Sequence, residues 1–439
     1  MLDTVRNMFK IQELRKKIFF TLLIIFLYRL GGHVPTPGVN ADVLRSFMAS
    51  NMDGLFGFYD MFVGGNFGRF TVFALGIMPY ITASIIMQLM GTIFPAIHKL
   101  QREGAEGRKK LTQYTRYGTV IFGAIQAAGI SIFISSIQDN GVSAVIPQMQ
   151  GFLFMATPVL SLTTGTVITM WLGEQITARG VGNGISLLIF IGIVAMIPSR
   201  VVTEVQQIMV DRMHIVQSLA ILAIVVAATV AVVIMTQAQR RIPIQTPKKV
   251  VGAKMYAGQN TVLPLRLNMA GVIPIIFASS IMTFPGMIIK SFAGAESSFM
   301  DDIFRLFGPD GAVYSVLYGL LIIFFTYFYT AIVFNPVDIA DNLKRQGGFI
   351  PGIRPGKKTA EFLENVLARI TLPGSVFLAL IAVLPMLLMR SFGGGFYFGG
   401  TSILIVVGVA LDTLQQLESH LQQRNYEGFM KKGSLRGRR

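Results

Sequence analysis

The chain has 439 residues, 52% of them hydrophobic and only 14% charged, with a formal net charge of +16 at pH 7. Soluble domains carry roughly 25% charged residues and disordered chains are poor in apolar ones, so both classes are excluded and a polytopic membrane protein with its charge in loops remains. Cysteine is absent and the four histidines are scattered, which excludes disulfide frameworks, thiolate nucleophiles and Fe–S or thiolate zinc sites, and disfavours a histidine-built metal site.

A bilayer-spanning helix needs about 20 apolar residues. Ten such spans are expected, at 18–37, 71–94, 116–137, 151–172, 184–200, 215–236, 270–290, 312–334, 368–390 and 399–418. The first reads as a true helix and not a cleavable leader: no small-x-small site follows it, and it runs into His33-Val-Pro-Thr-Pro37. Arg29 sits close enough to its end to snorkel to the interface. Next comes an apolar stretch over 55–70 that is too short to cross and is broken by Gly64, Gly65 and Gly68. It is either an amphipathic surface helix or a re-entrant piece filling a cavity from outside; at membrane depth such a piece must be buried in protein.

The second and third spans carry uncharged polar residues, Thr82, Ser84, Gln88 and Gln126, which suit interhelical contacts or pore lining alike. Glu174 lies at the mouth of the loop after the fourth span and Asp412 near the inner end of the last. The spans otherwise hold almost no ionisable groups, which ion-coupled transport generally needs. Ile77 and Ile81 share one helical face, as do Ile185 and Ile189. Such isoleucines are ordinary packing residues, or an apolar collar that blocks ions by dewetting. Ala223, Ala227 and Ala231 stripe the sixth span as a close-packing face.

Gly76-Ile-Met-Pro-Tyr-Ile81 opens the second span and Gly271-Val-Ile-Pro-Ile-Ile276 the seventh. These are equivalent places in two sets of five, and an odd number of spans per half inserts the halves in opposite senses. Inverted repeats place a functional path at their interface. The alternative is coincidence between two proline-bearing apolar helices. With the N-terminus inside, 30 of the 38 basic residues fall on the inner side, which fixes N-in, C-in topology.

Two long loops hold much of that charge. The loop at 237–269 carries Arg240, Arg241, Lys248, Lys249, Lys254 and Arg266 with β-branched residues and prolines, so a short hairpin is expected. The loop at 335–369 carries Lys344, Arg345, Arg354, Lys357 and Lys358 among glycines and prolines. Loops this long usually have a role. Their charge suits phosphate backbones, acidic proteins or anionic headgroups. Arg354, next to Pro355, has the most restricted backbone of the set. The tail Lys431-Lys432…Arg436-Gly-Arg438-Arg439 reads as a solvated basic end. Gly180-Val-Gly-Asn-Gly184 and Gly352-Ile-Arg-Pro-Gly-Lys-Lys-Thr359 lack the spacing of nucleotide loops. No nucleophile–base pair or cofactor motif is apparent, so no enzyme is expected.

Several strings together resemble the SecY family, central subunits of protein-conducting channels, in its bacterial or plastid form. They are Phe73-Ala-Leu-Gly-Ile-Met-Pro-Tyr-Ile81, Gln113-Tyr-Thr-Arg-Tyr117, Trp171-Leu-Gly-Glu-Gln-Ile-Thr177, Gly180-Val-Gly-Asn-Gly-Ile185, Asn268-Met-Ala-Gly-Val-Ile-Pro274, Phe334-Asn-Pro336, Pro351-Gly-Ile-Arg-Pro-Gly356 and Gly399-Gly-Thr401. The resemblance spans essentially the whole chain.

It implies an all-α membrane protein of ten transmembrane helices in two inverted five-helix halves, 1–200 and 201–439, with a re-entrant plug at about 55–68. The plug would include Phe58, Met61, Phe62, Gly64 and Gly65, and a pore ring would fall on Ile77, Ile81, Ile185, Ile189, Ile276 and Ile405. A lateral gate would open beside the second/third and seventh/eighth spans, near Thr82, Gln88 and Gln126, and release helices to lipid. Arg240, Arg241, Lys248, Lys249, Lys254, Arg354, Lys357 and Lys358 would dock the ribosome, including its rRNA, or the SecA motor ATPase. SecE-like and SecG-like small subunits would bind alongside, with signal sequences and nascent polypeptides as cargo, in the cytoplasmic membrane. No cofactor is implied. The runner-up is an inverted-repeat secondary transporter of a small solute, which calls for midplane ionisable groups; an inert scaffold would explain the basic loops but not the short segment.

Overall fold

The computed structural model describes residues 11–40, 43–44, 46–47, 55–135, 137–139, 142–146, 151–210, 213–246, 249–251, 254–256, 260–292, 311–392 and 400–432. The fold is mostly helical and divides into two compact units, Met1–Met209 with Ser280–Gly311 and Val409–Arg439, and Val210–Ser279 with Ala312–Gly408.

The first unit opens with α1 (Gln12–Gly31). Leu14 near its start shares a small core with Val181 and Leu421. Seven residues on, about two turns, Thr21 Oγ1 accepts the Val181 N–H at 3.0 Å. The short helix α2 (Leu55–Val63) follows. Residues 64–77 then run through turns. There Thr36 N–H donates to Phe70 O at 3.0 Å and Val72 N–H to Val34 O at 2.9 Å. These non-local bonds, with the isolated bridge between Pro35 and Thr71, commit 70–72 to pairing with 34–36, and the second span begins at Met78 and not at the expected 71.

Helix α3 (Met78–Ile93) breaks at Phe94 and turns by 106° into α4 (Pro95–Arg102). A proline supplies no N–H to continue the ladder. Helix α5 (Ala105–Ser135) lies against α3 and against α6 (Phe152–Arg179), with the hairpin β1 (Gln138–Asp139) and β2 (Val142–Ser143) between α5 and α6. Arg116 on α5 and Glu174 on α6 form a two-pronged ion pair, Nε to Oε1 at 3.0 Å and Nη2 to Oε2 at 2.6 Å. Helix α7 (Gly184–Val210) starts behind Asn183, whose Oδ1 accepts the Ile185 N–H at 3.1 Å, the usual way to satisfy an orphan helix-start donor.

The second unit begins with α8 (Met213–Gln237), which leaves Leu219, Leu222, Val226, Val230 and Ile234 exposed, as a lipid-facing helix does. Strand β3 (Gln239–Gln245) pairs antiparallel with β6 (Asn260–Arg266), from Gln239 opposite Arg266 to Gln245 opposite Asn260. Strands β4 (Lys249–Val251) and β5 (Lys254–Tyr256) form a second pair, so the expected hairpin is present and longer than its sequence signal. Then come α9 (Ile273–Phe292), α10 (Ala312–Val333), α11 (Pro336–Arg345), α12 (Lys357–Phe392) and α13 (Gly400–Lys432). Helices α9 and α13 each pass from one unit to the other.

Each of the ten expected spans falls on a helix: α1, α3, α5 to α10, α12 and α13. Among the described residues seven helices are long and apolar enough to cross a bilayer unaided, and the bent pair α3–α4 makes an eighth. The other two differ for visible reasons. Helix α1 carries Arg15, Lys16, Lys17 and Arg29 and ends at Gly31, short of the expected 37. In α9 the apolar portion described in full runs only over Ile273–Met282.

Candidate functional site

The segment at 55–70 is held by several hydrogen bonds in the first unit. Tyr59, Asp60, Met61, Phe62, Val63, Phe67 and Phe70 are all buried, so the reading as an amphipathic surface helix is overturned. After Val63 the chain reverses. Gly64 (φ 74°) and Gly65 (φ 81°) both take left-handed backbone that disfavours any side chain. Gly64 N–H donates to Met61 O at 3.2 Å and Gly65 N–H to Asp60 O at 2.9 Å. Asn66 Nδ2 donates to Val63 O at 2.8 Å, and the Tyr59 hydroxyl to Leu75 O at 3.1 Å. A Cβ on Gly64 would lie 2.7 Å from Gly192 Cα of α7, so the turn meets that helix backbone to backbone. Of the residues assigned to this segment, Met61, Phe62, Gly64 and Gly65 lie in this turn or the helix turn before it; for Phe58 only the backbone is described.

Asp60 is the one acid in the segment and is 1% exposed. Its Oδ1 accepts the Gly68 N–H at 2.7 Å. Burial pushes its carboxyl above the ordinary range, against the pull of the Gly68 and Phe67 N–H groups and of Arg69 and Arg200. Arg29 departs from expectation. Its guanidinium does not run free to the interface: Nη1 donates to Gly64 O at 3.3 Å. Arg69 Nε donates to the next carbonyl, Gly65 O, at 3.0 Å. Sequence reading missed Asp60 and Arg29 as partners of this turn. The only signal available was a lone carboxylate in an apolar run.

Of the six isoleucines, Ile77, Ile81 and Ile189 are buried in the first unit, where Ile185 is half-buried; Ile276 and Ile405 are buried in the second. The two proline-bearing motifs share local geometry. Gly76 (φ 54°) and Gly271 (φ 64°) are both left-handed and each stands two residues before its helix. Ile81 N–H then donates to Ile77 O at 3.1 Å and Ile276 N–H to Val272 O at 3.3 Å, so the four residues hold matching places in a first helical turn. Thr82 is buried and donates to Met78 O at 3.1 Å; Gln88 is half-buried and donates to Ser84 Oγ at 3.2 Å. Gln126 is half-buried on α5, the helix packed on α3. Ser280, where α9 enters the first unit, donates to Met78 Sδ at 3.6 Å.

The two basic loops form one body in the second unit. Ile242 and Leu265 of the β3–β6 hairpin share a core with Phe334, Ile350, Leu363, Val366, Leu367 and Ile370. Gln245 and Phe349 bridge the loops through their backbones. Arg240, Arg241, Arg354, Lys357 and Lys358 are exposed on this body. Lys358 pairs with Glu361 at 3.0 Å. Lys248 lies outside the described residues, as do Arg436, Arg438 and Arg439 of the tail; Lys249, Lys254, Lys431 and Lys432 are described in backbone only. Gly352 (φ 81°) and Gly356 (φ 103°) bracket Arg354, and the Thr359 hydroxyl donates to Arg354 O at 3.0 Å, which fixes the turn that presents the guanidinium. Among the described residues no group of His, Asp and Glu is placed to hold a metal ion.

Comparison with known proteins gives a consistent result. The SecY family model matches residues 71–414. The protein translocase subunit SecY of Aquifex aeolicus is 42% identical over 434 residues, covering 98% of this chain and all of that one. The corresponding subunit of Streptomyces galbus is 46% identical over 439 residues, again 98% of this chain and all of the relative. Among solved structures, one described as a protein conducting channel superposes with a TM-score of 0.65 at 17% identity, over 92% of each chain. Sec61 in a canine ribosome–channel complex superposes with a TM-score of 0.61 at 16% identity, over 92% of each chain.

Proposed function

The chain belongs to the SecY family, and from that premise we propose that it is a gated conduit for unfolded polypeptides across, and for membrane-protein helices into, the membrane it spans. One observation carries this reading. The nine-residue helix α2 is too short to cross a bilayer, yet it is buried and turned back on a di-glycine against α7. Backbone of that kind persists at membrane depth only inside protein. A small-solute transporter has no use for such an insert and needs ionisable groups that the spans largely lack.

In this reading the halves 1–200 and 201–439 are the inverted repeats, and 55–68 is the plug that fills the outer funnel. Ile77, Ile81, Ile185, Ile189, Ile276 and Ile405 form the apolar ring around the moving chain. Desolvated isoleucine excludes ions by dewetting while yielding to a polypeptide. The polar residues Thr82, Gln88 and Gln126 line the side exit. The basic residues of the two loops, Arg240, Arg241, Lys248, Lys249, Lys254, Arg354, Lys357 and Lys358, dock an acidic or phosphate-bearing partner, the ribosome with its rRNA or a motor ATPase such as SecA. SecE-like and SecG-like subunits complete the assembly in the cytoplasmic membrane, with both termini inside. The chain supplies the path and no catalysis; chemical energy comes from the docked partner.

A photo-crosslinking residue at Ile276, with exposed Ala227 on α8 as the off-path control, tests the reading. A stalled secretory precursor is expected to form adducts at 276 and none at 227. An engaged precursor that leaves 276 unlabelled places the path elsewhere and reopens the transporter and scaffold readings.

A further inference from the structure

The plug turn is held in two different ways. Most of its polar contacts are internal. Asp60 Oδ1 takes the Gly68 N–H, Asn66 Nδ2 the Val63 carbonyl, and Arg69 Nε the Gly65 carbonyl. All of these lie within residues 60–69 and stay whole if that stretch moves as one piece. The contacts that tie it to its surroundings include the Tyr59 hydroxyl on Leu75 O and the Thr71 N–H on Asn66 O, and a further group gathers on one short stretch, the last turn of α1. Arg29 Nη1 donates to Gly64 O. Beside it, Tyr28 stacks on Phe73 in the turns that follow the segment, with ring centroids 5.6 Å apart. Gly31 has no room for a Cβ beside the Phe73 ring, and a Cβ on Gly32 would lie 2.5 Å from Asn66 Oδ1. On the opposite side the segment meets α7 at the bare backbone of Gly192 and beside Met196, whose Cε would lie 3.7 Å from a Cβ on Gly65.

We propose that Arg29 is the positioning residue that latches the plug segment in its seat, a charged side chain of a spanning helix donating to the carbonyl of a turn whose other polar contacts are mostly internal. The chemistry favours a contact that releases. The acceptor is one carbonyl at 3.3 Å, near the long end of the range for such bonds. Arg69, a like charge, caps the adjacent carbonyl of the same di-glycine. Withdrawing the segment leaves its internal bonds whole and returns the Arg29 guanidinium to water. This inference rests on 55–68 being the plug.

The test is the resting halide leak of proteoliposomes holding the full chain with its small membrane subunits, compared among R29M, R29K and R69M. Loss of the donor in R29M is expected to raise the leak about tenfold, the factor that corresponds to ~1.4 kcal/mol. R29K keeps a charged donor and should restore the leak to within about threefold of wild type. R69M loses a bond internal to the moving segment and should stay within about twofold. An R29M leak equal to wild type, or an R69M leak as large as that of R29M, overturns the latch. Should R29M not assemble, G32A crowds the same clamp through Asn66; a wild-type leak in G32A overturns the latch equally. Precursor translocation by the wild type is measured in the same vesicles. If the wild type moves no precursor, the channel reading fails; if it does and the leaks do not follow the order above, only the latch fails.

Discussion

Gln245 and Phe349, more than 100 residues apart in sequence, exchange two backbone hydrogen bonds, each N–H to O at 2.9 Å. This single bridge joins the end of β3 to the turn before Ile350, and the apolar cluster beneath it closes the seam. Arg240, Arg241, Arg354, Lys357 and Lys358 are thereby held on one body, so a partner docking as proposed would meet one surface and not two tethers. Replacing Phe349 by proline removes one of the two donors and its bond, worth about 1 kcal/mol net. F349P is expected to weaken ribosome binding roughly fivefold in co-sedimentation while leaving Arg240, Arg241 and Arg354 in place. Unchanged binding means that the loops act independently.

Arg354 differs from its basic neighbours because its turn is fixed on both sides by left-handed glycines and by the Thr359 hydroxyl. A pre-ordered guanidinium loses less entropy on binding than a free lysine. R354A should therefore cost more affinity than K357A or K358A, and K358A least, since that lysine is already paired with Glu361 on an exposed helix turn. If the contacted group is a phosphate, the slope of log affinity against log salt falls by about one in R354A. Equal losses for the three variants would remove any special role for the turn.

The Gly64–Gly192 approach sets a steric prediction. A Cβ at 192 would meet Phe62 O at 3.1 Å and Gly64 N at 3.3 Å, and one at 64 would also have to adopt φ 74°. Overpacking of this kind costs about 1–3 kcal/mol, and the left-handed backbone adds about 1 kcal/mol for alanine. G64A is expected to lower thermal stability and raise resting leak more than G192A. The reverse order would mean that the segment does not seat as described.

The helices were legible because the hydrophobic period and the loop charges are local signals, and all ten expected spans fall on helices. The boundaries at 71 and 37 were not. Val34, Thr36, Phe70 and Val72 pair across 34 or more residues, and nothing in a run of apolar residues announces a partner that far away. The same limit hid the roles of Arg29 and Asp60. A lone arginine near the end of a span reads as an interface anchor, and only the fold brings Gly64 O beneath it. The hairpin at 239–266 was foreseen from its β-branched residues and prolines, but its fusion to the turn at 349 is a tertiary fact.

Asp60 gives a pH dependence with a definite sign. Its carboxyl is pushed up by burial by more than Gly68, Phe67, Arg69 and Arg200 together pull it down. The seated segment therefore holds the proton more tightly than the solvated one. Ionisation disfavours seating above the raised value, and that penalty vanishes below the ordinary carboxylate range. D60N keeps an oxygen for the Gly68 N–H and removes the charge. It is expected to raise the melting temperature at neutral pH, with the difference from wild type closing as the pH falls. A D60N protein that is less stable at neutral pH would show that attraction to Arg69 and Arg200 outweighs desolvation.

The isoleucine ring carries the last prediction. Ile81 and Ile276 occupy matching first-turn positions of α3 and α9, each behind a left-handed glycine, and both are buried. If they face a common path, their role is to keep it dry at rest, because an apolar constriction narrower than a hydrated ion excludes it without any charge of its own. Glycine at both positions removes the side chains and leaves room for water. The double variant I81G/I276G is expected to raise resting conductance well beyond the sum of the single changes, since each remaining side chain can partly fill the gap left by the other. Each deletion also costs stability, about 2–5 kcal/mol for a buried aliphatic cut to alanine and about 1 kcal/mol more for glycine within a helix, so conductance is compared per folded complex. L188A, a buried cut on α7 outside the six isoleucines, separates the two effects. It should lower stability and leave conductance low. A conductance that follows stability alone across these variants would identify the isoleucines as ordinary core.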